Sequence, residues 1–290
     1  MEASVIIPTY HSWDKLQDCL ECLAQQTVAE DRFEILVVNN DPSDPVPSDL
    51  KLPANARILS ESKPGSYAAR NAGFRAARSD LLFFTDSDCL PDSGYLQGGL
   101  DAAQANPDVG RFGGEVVLIP NGSTWTTAEL YDLHLGLEQR RWVDEGLAVT
   151  ANLIVRRDVL NKVGLFNDSV LSGGDMEWNK RASKMGEPIV FAANAIVRHP
   201  ARDSLQEHIT KARRIEGARL RRNAGRGVVN YIPPIHKLVP SFKTLTCLLN
   251  EPDLSRSQAL SVWGVHYLIR LAKISETIRL LWLRQPDQRM

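Results

Sequence analysis

The chain has 290 residues, 43% of them hydrophobic and 24% charged, with a formal net charge of −1. That supplies enough apolar material for one large α/β domain with an appendage, or for two modest domains. The near-neutral balance excludes a general nucleic-acid binder, because neutralising phosphates takes a basic surplus.

Val5-Ile6-Ile7 reads as a buried strand that Pro8 ends, since proline cannot continue a central ladder. It begins so early that no secretory leader is read, and the scattered Cys19, Cys22, Cys89 and Cys247 set a reducing, cytoplasmic default. A helix follows from about Ser12 to Gln26. It carries Cys19 and Cys22 among Leu16, Leu20 and Leu23; with no second Cys/His pair, this CxxC reads as helix packing. Glu34 to Val38 is a second strand, ending in Asn39-Asn40-Asp41-Pro42, and Arg57-Ile58-Leu59 is a third. Ser66 to Arg78 is helical, with Ala68, Ala69, Ala72 and Ala76 for close packing. Leu81-Leu82-Phe83-Phe84 is a fourth strand, running directly into Thr85-Asp86-Ser87-Asp88.

Strands alternating with helices imply an α/β fold with a Rossmann-like, mostly parallel sheet flanked by helices. In such sheets ligands bind beyond the carboxyl ends of the strands. Three polar clusters fall at those ends: Pro8-Thr9-Tyr10, Asn39-Asn40-Asp41 and Asp86-Ser87-Asp88. The middle is less regular. Gly113 to Ile119 and Ala148 to Val155 read as strands, Thr124 to Glu138 and Arg157 to Val163 as helices. Ser172-Gly173-Gly174-Asp175 opens a helix to about Met185, and two short strands, Ile189 to Phe191 and Ala195 to Val197, close at Arg198-His199-Pro200. Beyond residue 201 helices dominate, with a proline loop from Asn230 to Pro240 between a basic helix and an amphipathic one.

Two aspartates on a tight turn after a hydrophobic strand suit a divalent cation, Mg2+ or Mn2+, which takes oxygen ligands and keeps water and phosphate in its shell. Such a cation stabilises the charge that develops on a departing diphosphate. Asp88 and Asp86 are therefore candidate metal ligands, and His199 at the end of the last strand a further one. Asp175 stands at the mouth of a helix, where an aspartate also serves as a cap. Its chemical reading is a general base that takes the proton of an attacking hydroxyl. Glu177 points elsewhere on the same helix and is a candidate for orienting the acceptor. Arg70 offers a fork of donors toward a base or a diphosphate. No GxGxxG follows the first strand, which disfavours a dinucleotide dehydrogenase. A sugar nucleotidyltransferase would carry a glycine-rich loop where this chain has Pro8-Thr9-Tyr10-His11. A non-catalytic nucleotide-sugar scaffold would be expected to lose the acidic residues, which are all present.

Six segments in order, Ser4 to Tyr10, Glu34 to Asn40, Ala69 to Gly73, Phe84 to Asp88, Gly173 to Glu177 and Val197 to His199, resemble the family-2 glycosyltransferases of the GT-A fold. The resemblance covers roughly Ala3 to Pro200. It implies an inverting displacement with a nucleotide-sugar donor, UDP-, dTDP- or GDP-linked, and a divalent metal. By it Pro8, Thr9 and Tyr10 line the nucleobase pocket, with Asn39, Asp41, Arg70 and Ser87 joining them around the donor. Asp86 reaches the ribose or the metal, Asp88 ligates the metal, and Asp175 falls on the base position. Asn39 stands where the family usually has an aspartate that reads the base, which leaves the base identity open. Gln139-Arg140-Arg141-Trp142 is one residue shorter than the QxxRW of processive synthases and precedes Asp175, so the chain reads as non-processive.

The expected division is a catalytic domain over 1–200, with a nucleotide-sugar half of about 1–110 and an acceptor half of about 111–200, and a helical extension over 201–290. Between Arg198 and Arg226 the chain carries nine Lys or Arg against three acids. That segment, including Lys211, Arg213, Arg214, Arg219, Arg221 and Arg222, is either a solvated face or a site of attraction to anionic lipid or a lipid-linked acceptor. The helix bearing Leu260, Trp263, Tyr267, Leu271, Ile274, Ile278 and Leu281 is interrupted by charges. It suits packing within the protein, a homodimer seam, or peripheral contact with the inner face of a membrane through residues 205–284.

Overall fold

A computed structural model describes residues 1–222 and 238–281. Arg226, most of the proline loop and residues 282–284 lie outside the described residues.

Strand β1 (Ala3–Thr9) buries every residue, as does β2 (Phe33–Asn39). Alternation explains why both read as unbroken apolar runs. Val5, Ile7, Ile35 and Val37 pack with Leu16, Cys19, Leu20 and Leu23 of helix α1 (Trp13–Ala24). On the opposite face, Ile6 and Leu36 pack with Tyr67 and Phe74 of α2 (Ser66–Ala76). Cys19 is thus a core residue. β3 (Ala56–Ser60) and β4 (Leu81–Phe84) complete a parallel half in the order β3-β2-β1-β4.

β1 does not stop at Pro8, which pairs in register with Val38. The N–H and C=O of a strand residue point to the same side. Ile6 O faces β4, where it accepts from Thr85 N, so the nitrogen of Pro8 faces that side too. The ladder with β4 has already ended at Ile6 and Phe84, so the missing N–H costs no ladder bond.

From β4 outward the sheet departs from the mostly parallel expectation. β7 (Leu153–Arg156) runs antiparallel to β4, and β6 (Arg111–Ile119) antiparallel to β7. The full order is β3-β2-β1-β4-β7-β6-β8-β5, with the two-residue β5 (Leu90–Pro91) antiparallel to β8 (Ile189–Pro200). β8 is one strand rather than two. A helix not read from the sequence, α3 (Tyr95–Ala105), covers the face bearing Phe83, while α6 (Arg157–Val163) and α7 (Gly174–Lys184) cover the face bearing Leu82 and Phe84.

The chain divides into two compact units. The first joins Met1–Val117 to Glu138–His199; the second joins Leu118–Leu137 to the described residues from Pro200 onward. In the second, α4 (Thr127–Leu135) begins with a capping box, Thr126 with Glu129. It packs with α9 (Phe242–Leu249) and α10 (Arg256–Leu281) around Leu130, Leu248, Ala259 and Val262, and meets α8 (Leu205–Arg222) where the Tyr131 and His208 rings stand edge-on, 4.9 Å between centroids. The buried residues of α10 include Ala259, Val262, Ile269, Ala272 and Ile274, so of the stripe read from the sequence Ile274 lies inside while Leu260 and Ile278 face outward. Within the basic segment, Arg219 pairs with Glu216 at 2.6 Å, and Thr277 donates to the same carboxylate at 2.7 Å. No described helix is long and apolar enough to cross a membrane.

In the first unit, the side chain of Glu34 is buried between Ser4 Oγ (2.8 Å), Arg78 N (2.6 Å) and Arg78 Nε (3.0 Å). Burial alone would raise its pKa, but these donors outweigh it and hold the carboxyl below its ordinary value. A carboxyl depressed in the folded state adds stability above its unfolded pKa and loses it as pH falls through the folded one. Glu34→Gln is therefore expected to cost about 1–3 kcal/mol at neutral pH and to flatten the acid limb of stability below about pH 4. Denaturant melts of both proteins across pH check this.

Candidate active site

β1, β2 and β4 deliver their carboxyl ends to one rim, Thr9 lying beside Asn39 in register. At the end of β4, Thr85 donates to Ala151 O at 3.0 Å, which pins the turn that follows. Ligand atoms of Asp86, Asp88, Cys89 and His199 lie within 4.8 Å of one another. His199 Nε2 stands 3.6 Å from Asp88 Oδ1, so the last strand of the first unit brings its histidine to the turn as expected. Cys89 is a member that the sequence reading passed over. Burial pushes its thiol well above the ordinary value, and a soft sulfur is a poor donor for Mg2+ or Mn2+, which prefer oxygen. The remaining donors are two carboxylates and an imidazole, a set that fits Mg2+ or Mn2+ with water and phosphate completing the shell.

Arg70 is 3% exposed and donates from Nη2 to Asp86 Oδ1. It thus holds the acidic turn rather than reaching freely into solvent. One helical turn earlier, the Tyr67 ring lies under the same guanidinium, 5.5 Å from ring centroid to Cζ. The Tyr67 hydroxyl donates to Asp175 Oδ1 at 3.1 Å. Asp86, Arg70, Tyr67 and Asp175 therefore form one unbroken line of contacts from the acidic turn to the candidate base.

Asp175 owes its place to the glycines before it. Gly173 is the cap residue of α7 with φ 72, a left-handed conformation that glycine adopts without strain. A Cβ on Gly174 would stand 2.7–2.9 Å from Tyr67 ring atoms, so only glycine lets that ring approach. Asp175 is not the cap; its Oδ1 also accepts from Met176 N at 2.8 Å. The helix is anchored by Trp178 Nε1 donating to Gly164 O at 2.7 Å and by Asn179 Nδ2 donating to Ala148 O at 2.9 Å. Glu177 accepts from Arg181 Nε at 2.8 Å, and Arg181 in turn donates to Val163 O and Leu165 O, both at 2.6 Å. The structure places Glu177 in this brace.

The expected donor-binding residues divide into two groups. Pro8 and Thr9 are buried at the rim, Thr9 Oγ1 having no hydrogen-bond partner among the described residues, while Tyr10 is 57% exposed. Ser87 is half-buried in the turn. Asn39 instead spends its amide on its own loop, donating to Asp44 O at 2.9 Å and accepting from Asp41 N at 3.0 Å. The Asp41 carboxylate accepts from Ser43 Oγ at 2.6 Å and pairs with His11 Nε2 at 3.0 Å, contacts that hold its pKa below the usual range. Asn40, unremarked in sequence as a single residue, ties the segment before α2: it donates to Lys63 O at 2.8 Å and accepts from Gly65 N at 2.6 Å. Gln139, the first residue of α5 (Gln139–Asp144), is buried and bridges Asn152 O and Val149 N at 2.8 and 3.0 Å, a structural use of the Gln-Arg-Arg-Trp run.

The sequence profile described as Glycosyl transferase family 2 matches residues 4–164. The chain belongs to that family. The family-2 chain is 35% identical over 206 residues to "Glycosyltransferase AglE" of Haloferax volcanii, covering 69% of this chain and 67% of that protein. Several other curated relatives are matched over less than half of their own length. Among solved structures, the mannosyltransferase PcManGT from Pyrobaculum calidifontis, in complex with GDP-Man and Mn2+, superposes with a TM-score of 0.63 at 18% identity. That match covers 98% of this chain and 88% of PcManGT. S. aureus TarS 1–349 in complex with UDP-GlcNAc gives a TM-score of 0.53 at 19% identity, over 97% of this chain and 75% of that one. These likenesses fit the mixed α/β sheet flanked by helices that GT-A transferases share.

Proposed function

We propose that this family-2 transferase is an inverting, non-processive enzyme that moves a sugar from a nucleoside-diphosphate donor to a hydroxyl of a glycan or lipid-linked acceptor. The observation that carries the proposal is the contact line from Asp86 through Arg70 and Tyr67 to Asp175. It joins a cluster suited to a cation with its diphosphate to a carboxylate suited to removing a proton.

Pro8, Thr9 and Tyr10 form the wall against which the nucleobase lies, Tyr10 offering an exposed ring and Thr9 a buried, unpartnered hydroxyl. Asn39 and Asp41 act one step back, shaping the loop beside that wall. Asp86, Asp88 and His199 would hold Mn2+ or Mg2+, which supplies positive charge to the departing diphosphate. Arg70 fixes the orientation of Asp86 from a buried position, so that carboxylate need not reorganise when the donor arrives. On the opposite side, Asp175 takes the proton of the acceptor hydroxyl as that oxygen bonds to the anomeric carbon. The bond from that carbon to the phosphate oxygen breaks, its electron pair leaves with the nucleoside diphosphate, and the single displacement inverts the anomeric centre. The base remains uridine, thymidine or guanosine in this proposal; the two structural neighbours hold GDP-Man and UDP-GlcNAc respectively.

The test is release of nucleoside diphosphate from a panel of GDP-mannose, UDP-glucose, UDP-GlcNAc and dTDP-glucose, with water as acceptor. Slow hydrolysis of one donor, present with Mn2+ or Mg2+ and lost in chelator, is expected. A protein that binds a donor yet releases none above background is a scaffold, and the proposal fails.

A further inference from the structure

Helix α2 places Tyr67 where nothing in its own helix calls for a phenol. It is 5% exposed, sits among Phe84, Phe166 and Trp178 in an otherwise apolar cluster, and packs 5.9 Å from the Phe166 ring. Phenylalanine would fill that space equally well, and a buried hydroxyl has to find a partner to offset its desolvation. Its partner is Asp175, 108 positions away in sequence. Burial, and then the Asp175 carboxylate, push the Tyr67 phenol well above its ordinary range, so it remains a donor.

Two donors, Tyr67 Oη at 3.1 Å and Met176 N at 2.8 Å, converge on the same oxygen, Asp175 Oδ1. Oδ2 has no hydrogen-bond partner among the described residues. A carboxylate with one oxygen doubly held has a fixed plane and presents its second oxygen in a fixed direction. The glycine at 174 makes this possible, because any Cβ there would meet the Tyr67 ring. The Arg70 guanidinium over the ring completes the arrangement, tying the same side chain to the residue that orients Asp86.

We propose that Tyr67 is a positioning residue for the transfer step: it locks Asp175 Oδ1 so that Oδ2 faces the acceptor hydroxyl. This rests on Asp175 being the base. The Tyr67 hydroxyl does not touch the reacting atoms and gives up no proton. It acts only through the geometry of the carboxylate.

Tyr67→Phe keeps the ring and removes only the donor. Steady-state release of nucleoside diphosphate, using whichever panel donor the unaltered protein turns over, is compared with calorimetric binding of that nucleotide. The expected result is a kcat about 10- to 100-fold lower, the size of one hydrogen bond to a charged group, with nucleotide affinity and donor KM within about twofold. Unchanged kcat in Tyr67→Phe beside an inactive Asp175→Asn overturns the positioning role and leaves the base assignment standing. Full turnover in Asp175→Asn overturns the base assignment, and the inference with it. A fall in kcat matched by lost nucleotide binding assigns Tyr67 to the architecture of the pocket and also overturns the inference. If Tyr67→Phe loses folded protein by circular dichroism, Gly174→Ala, which forces the ring away while keeping the hydroxyl, replaces it; unchanged kcat there overturns the role as well.

Discussion

Asp175→Asn should reduce transfer about 10²- to 10⁴-fold while leaving donor binding intact, the range attributable to a lost general base. Asparagine preserves the shape and still accepts from Tyr67 and from Met176 N through its carbonyl oxygen, so the mouth of α7 keeps its form. What is lost is the ability to take a proton. Among the described residues, the contacts that link Asp175 to the Asp86, Asp88 and His199 cluster run through Tyr67 and Arg70, so a change confined to one carboxylate is expected to leave that cluster in place. Single-turnover release of nucleoside diphosphate beside calorimetric binding separates the two effects. Loss of binding in step with turnover would move Asp175 out of the role of base.

Asp88→Asn should be more severe, because it reaches binding as well as chemistry. Asp88 is one of two carboxylates in the cluster, and His199 stands 3.6 Å from it, so the substitution removes a charge at the point where strand and turn meet. Asp88 would act only through the cation it holds: losing that positive charge beside the departing diphosphate costs about 10²- to 10³-fold in turnover, and weaker retention of cation and diphosphate multiplies this at limiting metal, so that kcat/KM falls further than in Asp175→Asn. Asp86→Asn is expected to be milder toward metal, since Asp86 already shares its charge with Arg70.

The parallel half of the sheet was legible because both faces of β1, β2 and β4 are buried, which writes them as unbroken apolar runs. The rim was legible for the same reason: a run that ends abruptly in polar residues marks a strand's carboxyl end. Helix α3 was not, since Gly98 and Gly99 depress its helical signal. They are needed where the helix meets its neighbours: a Cβ on Gly98 would fall 2.3 Å from the Asn194 backbone, and one on Gly99 2.3 Å from the Phe83 ring. β8 read as two pieces because Ala192-Ala193-Asn194 carries no strand-forming residue, and continuity there comes from its neighbours in the sheet. In the site, the titratable candidates at the rim were readable from type and position. Their orientation was not. Whether Asn39 faces a ligand or its own loop depends on where Asp44 O and Asp41 N come to rest, which no local pattern encodes. Glu177 met Arg181 at the favourable i, i+4 spacing, a signal present in the sequence but outweighed by the nearby Asp175. Tyr67 stood one turn before Arg70 on the same helical face, which is the trace it left.

Electron paramagnetic resonance of manganese puts the cluster at the rim to the most direct trial. With GDP or UDP present, the unaltered protein should deplete the signal of free aqueous Mn2+ in a one-to-one titration, and Asp88→Asn at equal concentration should leave that signal close to buffer. Equal depletion by both proteins would mean that the ion sits elsewhere, and that Asp86, Asp88 and His199 do not hold the donor's diphosphate.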